Sequence, residues 1–170
     1  MFKTVNLKLK NYSKRIKSFL TKIKILFSEN SDLYILENAI LAQLNKMDEF
    51  AKNISSNIPM NFYLKEMRTL SIQLPRRMGN TTLAVNISKH FPHCYYIVHS
   101  AERAEQIRRE FGIYGVYSYD QIIRNHALRG RMVDLVIIDE CGFFNDLNEE
   151  RLYENFQRIP NVKILKVGQL

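Results

Sequence analysis

Apolar residues recur at helical spacing in the first part of the chain. Between residues 31 and 59 they form one stripe, at Leu33, Leu36, Ile40, Leu44, Met47, Ala51 and Ile54. This spacing predicts a helix that opens at residues 30–32 and ends at residues 57–59, where Asn57 and Pro59 disfavour helix. We expect this apolar stripe to pack against the rest of the fold, in the simplest case a sheet.

After residue 60, short apolar runs alternate with amphipathic segments. The runs predict strands over residues 70–74, 94–98, 113–117, 133–138 and 162–167, and the segments between them predict helices over residues 81–90, 101–111, 118–128 and 149–158. Residues 61–69 are expected to lead into the first strand. Gly112 marks the end of the second helix, and Ser118 with Gln121 predicts a capping box for the third. The alternation predicts an α/β fold: a doubly wound parallel sheet flanked by helices, with an N-terminal helical extension.

The composition suits one globular domain with an extension. The chain has 170 residues, 46% of them hydrophobic, and is long enough to bury a sizeable core. We expect a basic arm over residues 1–30, a helical segment over residues 31–59 and an α/β domain over residues 60–170. Cys94 and Cys141 lie in or beside apolar runs, as reduced thiols of cytosolic proteins do. Since the chain also lacks a run of roughly 18 apolar residues and a secretory signal, we predict a cytoplasmic protein without a membrane span.

The positive charge of the chain is concentrated at its start. The formal net charge is +8, and residues 1–27 contain eight Lys and Arg residues and no acid, which leaves 17 basic and 17 acidic residues in the remainder. Apolar residues lie between these lysines near helical spacing, so the arm is a candidate basic amphipathic helix. Three interpretations stay open: an arm that binds nucleic acid or an acidic partner, a helix on a membrane surface, or a helix docked on the core with a solvated lysine face.

A glycine-containing turn connects the first predicted strand to the helix that follows it. Residues 73–82 read QLPRRMGNTT, so Gly79 precedes Asn80, Thr81 and Thr82. A phosphate-binding loop needs a strand before it, a glycine for close approach to phosphate, a lysine for charge and a Ser or Thr hydroxyl for Mg²⁺. The glycine and the hydroxyl are present, but Asn80 stands at the position of the lysine. By itself the turn is equally consistent with a plain strand-turn-helix.

The fourth predicted strand ends in two acidic residues. In VDLVIIDE, residues 133–140, an unbroken apolar run typical of a strand buried on both faces is followed directly by Asp139 and Glu140. Open α/β sheets bind ligands at the carboxyl ends of their strands, and a helix that begins there favours phosphate. Together the turn and the acidic strand predict a P-loop NTPase fold.

Further residues resemble one branch of that class. The pattern Pro-Arg-Arg-x-Gly-x-Thr-Thr at residues 75–82, the Leu-Arg-Gly at residues 128–130 and the run IIDECGFF at residues 137–144 are together similar to the ATPase domain of the large subunit of phage DNA-packaging terminases. Superfamily 2 helicases are similar to a lesser degree. The resemblance covers about residues 60–170 and depends on the combination of motifs, because each motif alone is weak.

The terminase resemblance implies an ATPase motor that acts on double-stranded DNA, with ATP and Mg²⁺ bound, in a ring of identical subunits or with other packaging subunits. It implies that Thr81 holds Mg²⁺, that Asp139 holds the ion through water and that Glu140 polarises the attacking water. The loop would surround the phosphates with Pro75, Arg76, Arg77, Met78, Gly79, Asn80, Thr81 and Thr82. Tyr63 stands where the family often has an aromatic that stacks on adenine, although core packing explains it equally well. Gln169 lies in the region of a motif that senses the γ-phosphate.

The missing lysine leaves the function open. Arg76 or Arg77 could supply its charge from the start of the loop, since arginine binds phosphate in a bidentate manner. Arg103 is among several arginines that could instead act on a neighbouring subunit of a ring. With either compensation the chain would be a motor of viral genome packaging, although it contains no counterpart of the terminase nuclease domain. The alternatives are a catalytically degenerate P-loop scaffold that binds nucleic acid or a partner, and a small helicase-like ATPase.

Overall fold

A computed structural model of the chain describes residues 32–51, 58–75, 78–159 and 161–168. The helices in these ranges are α1 (Asp32–Ala51), α2 (Met60–Met67), α3 (Asn80–Ser88), α4 (Ala101–Phe111), α5 (Tyr119–Ile123) and α6 (Asp146–Phe156). The strands are β1 (Thr69–Ile72), β2 (Cys94–Val98), β3 (Val116–Ser118), β4 (Leu135–Asp139) and β5 (Lys163–Val167), and a short 3₁₀ turn (Cys141–Phe143) follows β4. From β1 onward, strands and helices therefore alternate along the described chain.

The five described strands form one parallel sheet in the order β1-β5-β4-β2-β3. One hydrophobic cluster joins the sheet to α1, α3 and α4, and a second joins it to α2, α5 and α6. Because helices cover both faces, every residue of β4 and β5 is buried. The predicted fold class, a parallel α/β sheet flanked by helices, is confirmed.

Helix α1 precedes the sheet and packs on it through the predicted apolar stripe. Leu36, Ile40, Leu44 and Met47 are buried in the same cluster as residues of α3, β1 and β5. Burial of such a side chain stabilises a fold by about 1.5–3 kcal/mol, so the stripe holds the helical extension firmly against the sheet. The predicted arm over residues 1–30 lies outside the described residues.

Two serines at the carboxyl edge of the sheet cap the helices that follow β2 and β3, and the sequence predicts the one at Ser118. Ser100 Oγ accepts a hydrogen bond from the N–H of Arg103 at 3.2 Å, and Gly112 ends the same helix, α4, with a φ of +63°. Ser118 and Gln121 form the capping box of α5, in which the N–H of Ser118 donates to Oε1 of Gln121 at 2.8 Å. The caps fix where the chain turns after β2 and β3.

Three stretches differ from their predicted structure. Residues 60–67, predicted only to lead into the first strand, form α2, a helix of eight residues; its apolar residues at 60, 63, 64 and 67 have helical spacing, but only Leu64 is buried. Strand β3 begins at Val116 because Gly115, with a φ of +78°, interrupts the extended chain and accepts the N–H of Tyr96 at 2.9 Å. Helix α5 ends at Ile123, five residues before the predicted end, because residues 124–131 form turns. In β3 and α5 the local backbone conformation prevails over the pattern of apolar residues, whereas in α2 the pattern is simply short.

A buried arginine connects α1 to the amino ends of β1 and β5. Only 1% of the Arg68 side chain is exposed; its Nη1 lies 2.7 Å from Oδ1 of Asp48, and it donates to the carbonyls of Asn161 and Val162. Lys163 Nζ lies 2.7 Å from the other carboxylate oxygen of Asp48. Burial acts to raise the pKa of Asp48, but the hydrogen bonds and charges of Lys163 and Arg68 outweigh it, so the pKa is below its ordinary value. Asp48 is thus the shared counter-ion of two cations that the fold buries.

We expect Asp48→Asn to lower the free energy of unfolding by about 1–2 kcal/mol at neutral pH, because Arg68 and Lys163 lose their counter-charge. The expected loss is moderate because half of the Asp48 side chain is exposed to solvent, which screens its charge. A carboxyl whose pKa is lowered by folding stabilises the protein above its unfolded-state pKa, and this stability is lost as the pH falls through the folded-state pKa. The difference between the two proteins should therefore disappear in acid, as measured by urea unfolding over a pH series.

Asp120→Asn, at the exposed pair with Arg124, is the control and should cost less than about 0.5 kcal/mol. Equal losses in both variants would contradict the special role of Asp48.

The described helices do not meet the requirements of a membrane span. Helix α1 has 20 residues, which is long enough, but it carries charged side chains along its length. Within the described ranges, no helix combines the length and the apolar character that crossing a bilayer requires.

Candidate nucleotide site

The turn between β1 and α3 exposes the amino terminus of a helix. Gly79, the residue before α3, is left-handed with a φ of +79°, and a Cβ added there would lie 3.2 Å from Cδ1 of Leu33 on α1. Both conditions favour glycine. The first bond of the helix runs from the N–H of Leu83 to the carbonyl of Gly79 at 2.8 Å, and no described side chain caps the helix. The N–H groups of residues 80–82 therefore have no acceptor in the described chain and lie at the positive end of the helix dipole, an arrangement that binds anions.

A hydrogen-bond network joins this turn to the acidic strand. Thr81 Oγ1 donates to Oδ2 of Asp139 at 2.9 Å, and the Tyr96 hydroxyl on β2 donates to the same oxygen at 2.6 Å. Burial raises the pKa of Asp139 above its ordinary value, and the hydrogen bonds from Tyr96 and Thr81 oppose that rise. Burial and the charge of Asp139 raise the pKa of Tyr96 well above its ordinary value, so the phenol keeps its proton and remains a donor. Two elements thus hold Asp139 in place.

The Thr81 and Asp139 oxygens fit a magnesium ion. Hydroxyl and carboxylate oxygens are the hard donors that Mg²⁺ prefers, and the ion usually keeps several waters and binds substrate phosphates as well. Both residues line an open cleft of about 920 Å³ at the carboxyl edge of the sheet. No group of three or more His, Cys, Asp and Glu side chains in the described residues could hold a metal by itself. An ion here would therefore depend on phosphate oxygens and water for the rest of its coordination.

Glu140 has an unusual backbone conformation at the end of β4. Its φ is +56°, in the left-handed region that a non-glycine residue adopts at an energetic cost. Gly168, which follows β5, packs against it; a Cβ at Gly168 would lie 3.1 Å from Cα of Glu140, and the φ of Gly168 is +121°. Strand β5 can approach this strained turn because residue 168 is glycine. The side chain of Glu140 lines the same cleft as Thr81 and Asp139.

Two basic side chains contact the Glu140 carboxylate. Arg103 Nη2 lies 3.1 Å from Oε1, and His99 Nδ1 lies 3.0 Å from Oε2. The His99 nitrogen is close to Oε2, but the angles between the two groups do not suit a hydrogen bond. Oε2 therefore has no hydrogen-bond partner among the described residues. The same Arg103 nitrogen is 3.4 Å from Thr81 Oγ1, and the His99 ring stacks on Phe143 with the centroids 4.5 Å apart. Glu140 is therefore positioned by groups from α4 and from the end of β2.

Asn80 does not replace the missing lysine. Its Nδ2 donates to the carbonyl of Leu74 at 3.5 Å, and its Oδ1 is buried without a partner in the described chain. A carbonyl oxygen offers no attraction to a phosphate. Among the described residues that line the cleft, Arg103 is the only cation, and it shares the cleft with three carboxylates, those of Glu110, Asp139 and Glu140. The Nε of Arg103 is also buried without a described partner.

The structure brings most of the predicted loop and metal residues together. Of the residues that the sequence predicts for the site, those that line the cleft are Gly79, Asn80, Thr81, Thr82, Asp139 and Glu140. Pro75 and Met78 do not line it; they close the turn through a hydrogen bond from the N–H of Met78 to the carbonyl of Pro75 at 3.2 Å. Arg76, Arg77 and Gln169 lie outside the described residues, so their predicted contacts stay predictions.

Tyr63 lies away from this cleft. It belongs to α2 and lines a second cleft together with Val133, Asn161 and Lys163, which lie at or just before the amino ends of β4 and β5. Its ring also packs against the second hydrophobic cluster. Since the turn between β1 and α3 is at the opposite edge of the sheet, the position of Tyr63 favours core packing over adenine stacking.

Comparisons with known proteins show a distant structural likeness and no family. No family description and no curated protein matches the chain. Among solved structures, that of C. elegans PCH-2 is similar, with a TM-score of 0.43 and 17% sequence identity. The alignment covers 85% of this chain and 39% of that one, so this chain spans less than half the length of the protein it matches. The function has to be inferred from the site.

Three residues of the site have roles that the sequence alone does not indicate: Tyr96, His99 and Arg103. Tyr96 has the pattern of an ordinary strand residue. Arg103 is only one of several arginines that could act on a neighbouring subunit, whereas in the structure it contacts Glu140 of its own chain. All three lie in or shortly after β2, and β2 pairs directly with β4. The pairing of β2 with β4 brings all three residues to the site. It cannot be predicted from the order of the strands along the chain, in which β3 lies between them.

Proposed function

We propose that the chain binds ATP together with Mg²⁺ in the cleft at the carboxyl ends of β1 and β4. The observation that carries this proposal is the 2.9 Å hydrogen bond between Thr81 and Asp139 beside the uncapped start of α3. Free amides at a helix start bind phosphate, and an adjacent hydroxyl and carboxylate bind Mg²⁺. A plain strand-turn-helix would need neither the left-handed glycine nor the buried carboxylate opposite it.

The proposed roles follow from position. The N–H groups of residues 80–82 bind phosphate oxygens, and Thr81 and Asp139 hold the ion, with Tyr96 orienting Asp139. Bound Mg²⁺ supplies positive charge at the transferred phosphoryl group. Glu140 orients a water molecule and accepts its proton as the water attacks, so that the products are ADP and inorganic phosphate.

Arg103 supplies the positive charge that Asn80 lacks. Its guanidinium lies between Glu140 and Thr81, which are the proposed water-activating and ion-binding residues. When a nucleotide enters, the guanidinium can exchange the Glu140 carboxylate for the terminal phosphate, with which it forms paired hydrogen bonds. This role lies within one chain and differs from the predicted action on a neighbour. Arg76 and Arg77 remain predicted contributors from the loop.

The resemblance to terminases extends the proposal to a motor. ATP turnover would drive movement along double-stranded DNA during viral genome packaging, in the cytoplasm of the host. The support for this part comes from the sequence: the loop, the Leu-Arg-Gly at residues 128–130 and the acidic strand. A ring of identical chains or contact with other packaging subunits belongs to the same proposal.

One observation favours a second candidate, a catalytically degenerate P-loop protein. Asn80 leaves the loop without its lysine, and its buried Oδ1 has no partner in the described chain. Such a protein would use the fold as a scaffold for nucleic acid or a protein partner. It would bind its partner without ATP turnover.

Calorimetric titration of the chain with ATP, with and without Mg²⁺, tests the proposal. Thr81→Val keeps the shape of the side chain but removes its hydroxyl, so we expect Mg²⁺-dependent affinity to fall by about tenfold or more. Ser88→Ala removes a hydroxyl from the same helix outside the cleft and is the control. If the unaltered chain binds no ATP, the nucleotide proposal is wrong; ATP turnover stimulated by double-stranded DNA would support the motor over the scaffold.

A further inference from the structure

A third cleft lies at the edge of the sheet opposite the proposed nucleotide site. It has a volume of about 430 Å³ and is formed by residues 126–131, before β4, and by the end of α6 with the residues after it. Its charged side chains are Arg129, Arg131 and Arg158, and we call it the arginine cleft. None of these residues lines the nucleotide cleft.

The arginine cleft gathers positive charge without an acidic counterpart. No Asp or Glu is among the described residues that line it. Elsewhere on the described surface, Arg109 and Arg124 each have a carboxylate oxygen within 3.3 Å, whereas Arg129 and Arg158 form no ion pair with a described residue. Cations of one sign in a concave surface repel one another and create a potential that attracts anions. The missing counter-charge is therefore best supplied by a ligand.

The backbone presents two of these arginines on a defined turn. The N–H of Arg129 donates to the carbonyl of His126 at 2.9 Å, and the N–H of Arg131 donates to that of Leu128 at 3.2 Å. His126 and Gly130 are left-handed, with φ of +49° and +72°. Leu128, at the centre of the turn, is only 6% exposed and joins the second hydrophobic cluster. Because the turn is already anchored, it loses little conformational entropy when it binds a ligand.

Two tyrosines hold Arg131 at the border of the arginine cleft and provide an aromatic surface beside it, although neither lines the cleft itself. The guanidinium carbon lies 5.9 Å from the ring centroid of Tyr95 and 5.8 Å from that of Tyr117. Both rings are partly exposed, and their centroids are 5.9 Å apart. Cations beside exposed aromatic rings are a combination that contacts both the backbone and the bases of nucleic acids.

We propose that the arginine cleft binds the phosphodiester backbone of nucleic acid. Guanidinium groups form paired hydrogen bonds with phosphate oxygens, and these three have no competing carboxylate in the cleft. The tyrosine pair favours nucleic acid over an acidic peptide, which would need no stacking surface. Phosphate contacts of this kind fix the position of a nucleic acid without reading its sequence. The inference locates a contact for the nucleic-acid partner of the proposed function, but it does not depend on ATP binding or hydrolysis.

Fluorescence anisotropy of a labelled DNA duplex, titrated with the chain at several salt concentrations without nucleotide, tests this site. Arg129→Gln/Arg158→Gln is compared with Arg109→Gln/Arg124→Gln, which lowers the net charge equally by removing arginines that already have carboxylate partners. For the cleft variant we expect the slope of log affinity against log salt to fall by about two and affinity at low salt to fall about tenfold or more. The control should bind within about twofold of the unaltered chain.

Each other outcome would overturn the inference. Equal losses in the two double variants would mean that only net charge matters, and no loss in either would assign DNA binding to another surface. A labelled acidic peptide that loses binding in the cleft variant, while the duplex does not, would assign the cleft to a protein partner. Competition by inorganic phosphate at the duplex concentration would show a free-anion site. Thermal unfolding of both variants checks that they fold as the unaltered chain does.

Discussion

Glu140→Gln is expected to lower ATP hydrolysis by about 10²–10⁴-fold while ATP still binds. The amide has nearly the size of the carboxylate but cannot accept a proton from the attacking water. Binding should persist because the amides of residues 80–82 and the Thr81–Asp139 pair are unchanged, and because Arg103 is released from its contact with Glu140. Phosphate release and calorimetric ATP affinity, measured on one preparation, separate the two effects.

Glu110→Gln is the matched control for this experiment. Glu110 is exposed and lines the same cleft, so the substitution removes the same charge without touching Glu140. Turnover should remain within about twofold, as for other exposed substitutions. If Glu140→Gln hydrolyses ATP as fast as the unaltered chain, Glu140 is not the base. If the unaltered chain binds ATP but shows no turnover even with DNA, the degenerate scaffold is the better description.

Arg103→Gln is expected to weaken ATP binding by about 10- to 100-fold and to lower turnover with it. The estimate corresponds to the loss of charge-assisted hydrogen bonds worth about 1.5–3 kcal/mol to the terminal phosphate. ADP lacks that phosphate, so its affinity should change much less. The ratio of ATP to ADP dissociation constants is therefore the informative measurement, and it should move toward one.

Arg109→Gln, on the same helix but exposed and paired with Glu105, is the control and should leave the ratio unchanged. Because the contacts of Arg103 lie within one chain, the loss should not depend on protein concentration. Recovery of ATP turnover when Arg103→Gln is mixed with Glu140→Gln, which keeps Arg103 but should not hydrolyse ATP itself, would instead show that Arg103 acts on a neighbouring subunit of a ring. An unchanged ATP-to-ADP ratio in Arg103→Gln would leave Arg76 or Arg77 as the source of charge.

The chemistry of the turn and of the acidic strand can be predicted from the sequence because each depends on residues that are close together in the sequence. Gly79 precedes a helix whose first hydroxyl is Thr81, and the apolar run of β4 ends directly at Asp139. Parallel strands bring their carboxyl ends to one edge, so the meeting of Thr81 and Asp139 follows once the alternation of strands and helices is recognised. The same local signals determine the caps at Ser100 and Ser118.

Other features depend on which elements become neighbours. Strand β2 pairs with β4, and this pairing alone brings Tyr96, His99 and Arg103 to the acidic residues. Tyr63 has an aromatic side chain in a suitable place along the chain, but its short helix lies toward the opposite edge of the sheet. The spacing of residues in the sequence cannot distinguish residues that reach the site from a residue such as Tyr63 that does not. Contact depends on the order of strands in the sheet rather than on separation along the chain.

The sequence by itself determined the fold class, the helix caps, and the candidate phosphate turn with its acidic partners, since periodicity, capping and buried apolar runs act over a few residues. Only the tertiary structure decided that Arg103 reaches Glu140 within its own chain, that Gly168 permits the left-handed turn at Glu140, and that three arginines converge far from the nucleotide cleft. Each of these depends on long-range packing, in which the strand order and the twist of the sheet set the distances between side chains.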